Sequence, residues 1–373
     1  MQLSKIKIKY INGPVIWHTD NSILKNLKTE KHGDYYVKIK IFMNSAGHNS
    51  ERDVLRNMYD GIEEHLVPKD KAEKKRWRQV NKSKGLQGSG VFYDYTEKAR
   101  GCDLAVMFGS WKPERSRVHH EIRTAIYKSD IPFLCIETPL LGRRVFQPNQ
   151  HYRVGINGFL NRDAIWGEER DYPADRFNAL GLSYSGWKKK RGRKIIIALQ
   201  LAGDASLRHN DINEWCKNTV QTLRRHTDRP IEIRTHPGVS DKGWSNHEEL
   251  FRWFLFKNFP DVQFVNGKET PWEDHILDAY CVVAYTSGMS IDAVLNGIPV
   301  IAVDEGNFAW NVGERKLSNI ENLTLADSKD VQQWLYNLAY CQWTPEEMDT
   351  GQCWLHLESS IKELIDENCS NLS

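Results

Sequence analysis

No apolar run in this 373-residue sequence approaches the length of a membrane span, and its first residues, MQLSKIKIKY, lack the apolar core of a signal peptide. The sequence therefore gives no expectation of a membrane partner. Cysteine is sparse: the seven are odd in number and scattered without metal-ligand spacing. That excludes a disulfide framework and suits free thiols in a reducing cytoplasm. Charge is nearly balanced, with a formal net charge of +2, so contact with a polyanion has to come from local basic clusters. There is no internal repeat and no low-complexity tract. What is present suits filled cores: 40% apolar residues and 13 tryptophans. The length accommodates two domains of ordinary size.

The most informative stretch is 281–305, CVVAYTSGMSIDAVLNGIPVIAVDE. It reads as strand, tight polar turn, helix, strand. The run 282–284 is apolar, the turn 286–290 breaks it with the small residues Thr286, Ser287, Gly288 and Ser290, Ile291, Val294 and Leu295 fall at helical spacing, and Gly297 suits a helix C-terminus. In open α/β sheets ligands bind at the carboxyl ends of strands, and helix starts offer free N–H groups to phosphate. Ser287, Gly288 and Ser290 are thus candidate phosphate contacts, and Asp304 or Glu305 a candidate grip on a sugar hydroxyl. The same pattern also describes an ordinary βαβ unit with a serine-rich cap.

Upstream, 35–43 alternates and is β-branched, predicting a strand that ends in the small polar loop 44–50. His48 on that loop is a candidate base, or a solvated loop histidine. A helix is expected to about residue 65, with Val54, Met58 and Ile62 on one face. The stretch 69–84 is the most basic in the chain. Lys74, Lys75, Arg76, Arg78 and Lys82 surround Trp77, a mixture suited to a nucleic-acid backbone with an exposed base. A solvated helix face would look alike. The glycine-rich turn that follows, 85–90, lacks the Lys-Ser/Thr ending of a triphosphate-binding loop. Strands are expected at 102–108 and 131–136, placing Glu137 at a strand end as a candidate base. Asp163 follows a short strand or loop at 152–160.

Residues 181–192 are full of turn formers and mark a domain boundary, giving 1–186, 187–340 and a C-terminal helical segment 341–373. Lys188 and Lys189 begin a second basic cluster, expected near an interdomain cleft. From 194 onward strands and helices alternate regularly, as in a doubly wound parallel sheet. Its strand ends carry Gly203 with Asp204, Arg234 with His236, and Ser287 with Gly288.

Residues 194–310 resemble the nucleotide-sugar half of a GT-B glycosyltransferase. Arg234-Thr235-His236-Pro237 is similar to the His-Pro motif of bacterial sialyltransferases and capsule Kdo transferases. Tyr285-Thr286-Ser287-Gly288 is similar to their serine motif, with Gly288 where a second Ser or Thr often stands. The whole chain is also similar to uncharacterised glycosyltransferase-like proteins of tailed bacteriophages, in which sugars are placed on hydroxymethylated DNA bases. The resemblance implies an α/β fold of two Rossmann-like domains facing across a cleft. It implies a nucleotide-sugar donor, UDP-linked, held by His236 and Ser287 without metal or other cofactor. The acceptor implied is a hydroxymethylpyrimidine in phage DNA, within the host cytoplasm. The base is sought in the acceptor half, in the order His48, Glu137, Asp163. A saccharide or lipid acceptor, a nucleotide-sugar epimerase and a non-catalytic nucleic-acid-binding protein are the alternatives.

Overall fold

The structure is a computed structural model that describes residues 7–10, 15–18, 39–42, 49–66, 104–109, 126, 128–129, 131–142, 150–208, 210–238 and 246–371. Two sheets organise them. The first contains β1 (Lys7–Tyr10), β2 (Val15–His18), β3 (Ile39–Phe42), β4 (Leu104–Phe108), β5 (Phe133–Glu137), β6 (Tyr152–Ile156) and β12 (Gln342–Trp343), in the order β1-β2-β3-β4-β5-β6-β12. Only β3, β4 and β5 run parallel; the other neighbours pair antiparallel. The sheet is thus mixed, with a Rossmann-like parallel centre.

Alternation along the strands sets its two faces. Leu104, Val106, Leu134 and Ile136 pack on helix α1 (Asn49–Leu66) through Val54, Met58 and Ile62, the apolar face expected from the sequence. Ala105, Met107, Phe133 and Cys135 lie on the other face, beneath Phe159 and Leu160 from the turn that follows β6.

The second sheet holds β7 (Lys194–Ala198), β8 (Ile231–Arg234), β9 (Gln263–Val265), β10 (Ala279–Ala284) and β11 (Val300–Ala302), in the order β11-β10-β7-β8-β9 with every pair parallel. Helices cover both faces, as a parallel sheet requires. On one face α3 (Ile212–Leu223) and α4 (Asn246–Asn258) bury Val220 and Phe251 against Ile195 and Ile197. On the other, α2 (Asp175–Ala179), α5 (Trp272–His275), α6 (Met289–Leu295) and α7 (Ser328–Ala339) bury Phe177, Trp272, Ile291 and Leu335 against Ile196 and Ala198. Asp211 starts α3 by accepting from the backbone N–H groups of Asn213 and Glu214.

The stretch 331–365 reads as helical in sequence, and the resemblance implies that it crosses back to the first domain; the structure divides it between the two cores. α7 belongs to the second sheet. The chain then crosses to pair β12 with β6 before α8 (Pro345–Asp349) and α9 (Gln352–Asn371), whose Met348, Trp354 and Leu357 join the core around α1. Gln342 fixes this crossing. Fully buried, its Oε1 accepts from the N–H groups of Leu140 and Leu141 at 3.0 and 2.8 Å. Gly61 permits the close approach of α1 and α8, because a Cβ there would overlap the Met348 carbonyl.

Candidate functional site at the β7/β10 crevice

In the second sheet the chain lays β8 and β9 on one side of β7, then returns to lay β10 and β11 on the other. The connections therefore leave in opposite directions from β7 and β10 and open a crevice at their carboxyl ends, the place where such sheets take ligands.

Two side-chain amides, one half-buried and one buried, tie the loops around this crevice together. Gln200, just after β7, donates through Nε2 to Ser206 Oγ at 2.6 Å and Thr286 Oγ1 at 3.0 Å. Its Oε1 accepts the Thr286 N–H at 3.0 Å. Asn307, after β11, is fully buried and donates to the Tyr285 carbonyl at 2.9 Å. Neither amide was singled out in the sequence. Glutamine and asparagine near strand ends carry no local signal, and their partners lie 86 and 22 residues away.

Six of the sequence candidates meet at this end of the sheet. Gly203 has φ 74°, a left-handed turn with open space where a Cβ would stand. Asp204 caps the following turn by accepting from Ser206 N and Oγ at 2.9 and 2.5 Å. Ser287 Oγ accepts from Met289 N at 3.3 Å, and Gly288 leads into α6. Asp304 accepts from Gly306 N at 2.7 Å. His236 Nδ1 accepts from Gly238 N at 2.9 Å, which places the neutral ring's proton on Nε2. The β8 loop that carries it approaches Leu201 of the β7 loop.

Other candidates are committed elsewhere. Arg234 is 1% exposed and turned inward. Its guanidinium donates to the carbonyls of Gly267 and Thr270 at 3.0 and 2.8 Å and to His275 Nδ1 at 3.1 Å. That corrects its expected place among the phosphate contacts: a side chain placed to satisfy buried acceptors is not presented to a ligand. Ser290 is likewise fully buried, with Oγ 2.8 Å from Asn307 Oδ1 and 2.9 Å from the Ser287 carbonyl. Glu305 is exposed and pairs with Arg162 at 3.3 Å.

Lys188 and Lys189 are at the wrong end. The Lys188 N–H donates to the Gly297 carbonyl and the Gly192 N–H to the Ala279 carbonyl, at the amino ends of β11 and β10. A five-residue strand, about 17 Å long, separates this cluster from the crevice. The expectation that it flanks the cleft is overturned, because the linker enters the sheet at the start of β7.

Of the candidate bases, Glu137 is buried 3.7 Å from Arg153, its partner across the β5–β6 pair, and accepts from Thr138 N at 2.9 Å. Asp163 lies on the turn that crosses from the first sheet to the crevice. Beside it Asn161 donates to the Glu305 carbonyl at 3.0 Å, and the Asn161 N–H to the Gly306 carbonyl at 3.1 Å. Asp163 pairs with Arg208, a residue held at φ 50° after the β7 loop. Burial pushes the Asp163 carboxyl above its ordinary range, against the opposing pull of Arg208. Burial and the neighbouring Asp304 push the Tyr285 phenol up in the same way. The crevice rim therefore combines a partly buried carboxyl, two guanidiniums and a phenol.

His48, Lys74, Lys75, Arg76, Trp77, Arg78 and Lys82 lie outside the described residues. Among the described residues no cluster of His, Cys, Asp or Glu has a metal-binding arrangement, and no helix is long and apolar enough to cross a membrane.

No family model and no curated protein matches the chain. Among the solved structures that overlap it loosely are two of one protein. The beta Kdo 2,4 transferase of Thermosulfurimonas dismutans KpsC is 15% identical, with a TM-score of 0.41 over 74% of this chain and 91% of that one. The beta Kdo 2,7 transferase of the same KpsC is 17% identical, with a TM-score of 0.43 over 72% and 92%. Both scores lie below 0.5, too loose an overlap to assign an activity.

Proposed function

We propose that the protein is a glycosyltransferase that binds a nucleotide sugar, UDP-linked, at the β7/β10 crevice and passes the sugar to a hydroxyl of a saccharide. The observation that carries this reading is the crevice itself. It lies at the reversal point of a wholly parallel sheet and is lined by turns whose small residues, Gly203, Ser287 and Gly288, let a ligand approach the backbone. Phosphate would be met by the N–H groups of Ser287 and Gly288, His236 Nε2 and Arg208, and a donor hydroxyl by Asp304. Asp163, raised by burial and placed at the rim, would take the acceptor proton as the oxygen attacks the anomeric carbon. Backbone dipoles and the guanidiniums would stabilise the departing diphosphate.

A hydroxymethylated DNA base is the weaker acceptor. Of the two basic clusters that suggested it, one stands at the far end of the second sheet and the other lies outside the described residues.

The test is nucleotide release from a panel of nucleotide sugars, with oligosaccharides and with hydroxymethylated or plain DNA as acceptors. Release that rises with a saccharide and falls with Gly288→Val supports the reading. A chain that neither binds UDP nor releases nucleotide from any donor ends it.

A further inference from the structure

A second cavity, of about 620 Å³, opens beside the crevice between the 161–172 segment and helix α7. Its size is that of a small-molecule site. Two residues connect it to the crevice. Asn161 and Phe308 line it, and they belong to the segments that meet at Glu305 and Gly306.

The walls have three chemical characters. Trp166, Phe308 and Trp334 supply aromatic surface. The rings of Trp166 and Phe308 stand 5.7 Å apart, and Trp334 is held in place by its Nε1–H bond to the Phe308 carbonyl at 3.2 Å. Asn337 supplies an oriented donor. Its Oδ1 accepts from Tyr172 N and Gln333 Nε2, both at 3.0 Å, so the amide cannot flip without losing two bonds, and Nδ2 makes no hydrogen bond among the described residues. The Asn311 amide, exposed at the mouth, has no hydrogen-bond partner among the described residues. The third character is charge. Glu168, Glu169 and Asp171 line the cavity against a single cation, Arg170, which already pairs with Glu168 at 3.7 Å.

Aromatic faces with one fixed amide, Asn337, a second amide at Asn311, and the carboxylates of Glu169 and Asp171 match a pyranose, whose C–H face is apolar and whose edge carries hydroxyls. The carboxylate excess repels a phosphate, a sugar acid or a DNA strand and tolerates an amine. We infer that this cavity is the acceptor subsite of the proposed transfer and takes a neutral or amino-bearing pyranose. The inference rests on the transferase reading for its role, though not for the binding itself.

The test is saturation-transfer NMR on the full chain with N-acetylglucosamine, glucosamine, glucuronic acid and glucose 6-phosphate as probes. Calorimetry with UDP runs alongside. The first two sugars should receive saturation and the two anions several-fold less. Asn311→Trp, which fills the mouth from an exposed position, should abolish the signal and leave UDP affinity intact. The pair Glu169→Gln and Asp171→Asn should admit glucuronic acid. No saturation of any sugar, equal saturation of the anions, or a signal indifferent to Asn311→Trp overturns the inference, whatever UDP does. Sugar binding that persists without UDP binding removes the transferase reading and with it the acceptor role, but keeps the sugar site.

Discussion

Removing Gln200 is the most direct probe of the crevice, because its amide braces the β7 loop internally and ties it to the β10 loop, three contacts in all. Two are donated by Nε2, to Ser206 Oγ and Thr286 Oγ1, and one is accepted by Oε1 from the Thr286 N–H. At about 1 kcal/mol for each neutral hydrogen bond, Gln200→Ala should lose about 3 kcal/mol. The Thr286 N–H left behind is costly because Thr286 is 6% exposed and water has little access to replace the bond. Gln200→Glu keeps the acceptor and gives up the donor, so it should fall between the parent and the alanine variant. Urea unfolding reads the loss as a lower midpoint at unchanged slope, and calorimetry with UDP reads the crevice. The alanine variant should bind UDP more weakly, since the Ser287–Gly288 turn follows Thr286 directly. If Gln200→Ala stays within about 0.5 kcal/mol of the parent, the range of an ordinary surface change, and gives the same UDP isotherm, the amide does not hold the crevice.

Four further outcomes are expected. Arg234→Ala should cost about 3–5 kcal/mol, as removal of one partner from a buried charged network does; a variant as stable as the parent that loses only UDP affinity would return Arg234 to the phosphate site. Burial holds the His275 imidazole below its ordinary 6.5, and Arg234 faces its Nδ1 while Nε2 lies 2.5 Å from Glu232. The unfolded chain therefore binds the proton first, so this contribution is full above about pH 6.5 and is lost as pH falls through the folded pKa. Urea midpoints from pH 8 to pH 5 should fall more steeply in the parent than in His275→Gln, and parallel curves would refute the assignment. For the partly exposed Asp163–Arg208 pair, a double-mutant cycle with Asp163→Asn and Arg208→Gln should give a coupling of about 1 kcal/mol or less in stability. Asp163→Asn alone should stop transfer while UDP still binds, and full turnover in that variant would remove the base.

The second sheet was legible because its signals are local. Apolar runs such as 194–198 and 281–284, broken by small polar turns, state strand and loop within a few residues, and Asp211 states a helix start by its own side chain. The crevice was legible for the same reason: Gly203, Asp204, Ser287, Gly288 and Asp304 follow strands whose parallel order places all their carboxyl ends together. The limits of that reading are equally physical. Arg234 and Ser290 stand at the right positions in the chain, but a side chain at a strand end or helix start can point outward or inward. Burial against His275, Thr270 and Asn307 turned both inward.

Sequence alone determined the periodicities, and through them the helices, the parallel strands and the loops with ligand-capable residues. Tertiary structure decided what depends on distant partners. It put Lys188 and Lys189 at the amino end of the sheet, away from the crevice. It split 331–365 between two cores, because Gln342 satisfies buried N–H groups some 200 residues away. It also brought Asp163 to Arg208 and built the aromatic, acidic cavity between residues 161–172 and α7. Local pattern encodes which face of an element is apolar; which elements share that face, and which polar groups end up opposite one another, is settled only when the apolar surfaces are buried together.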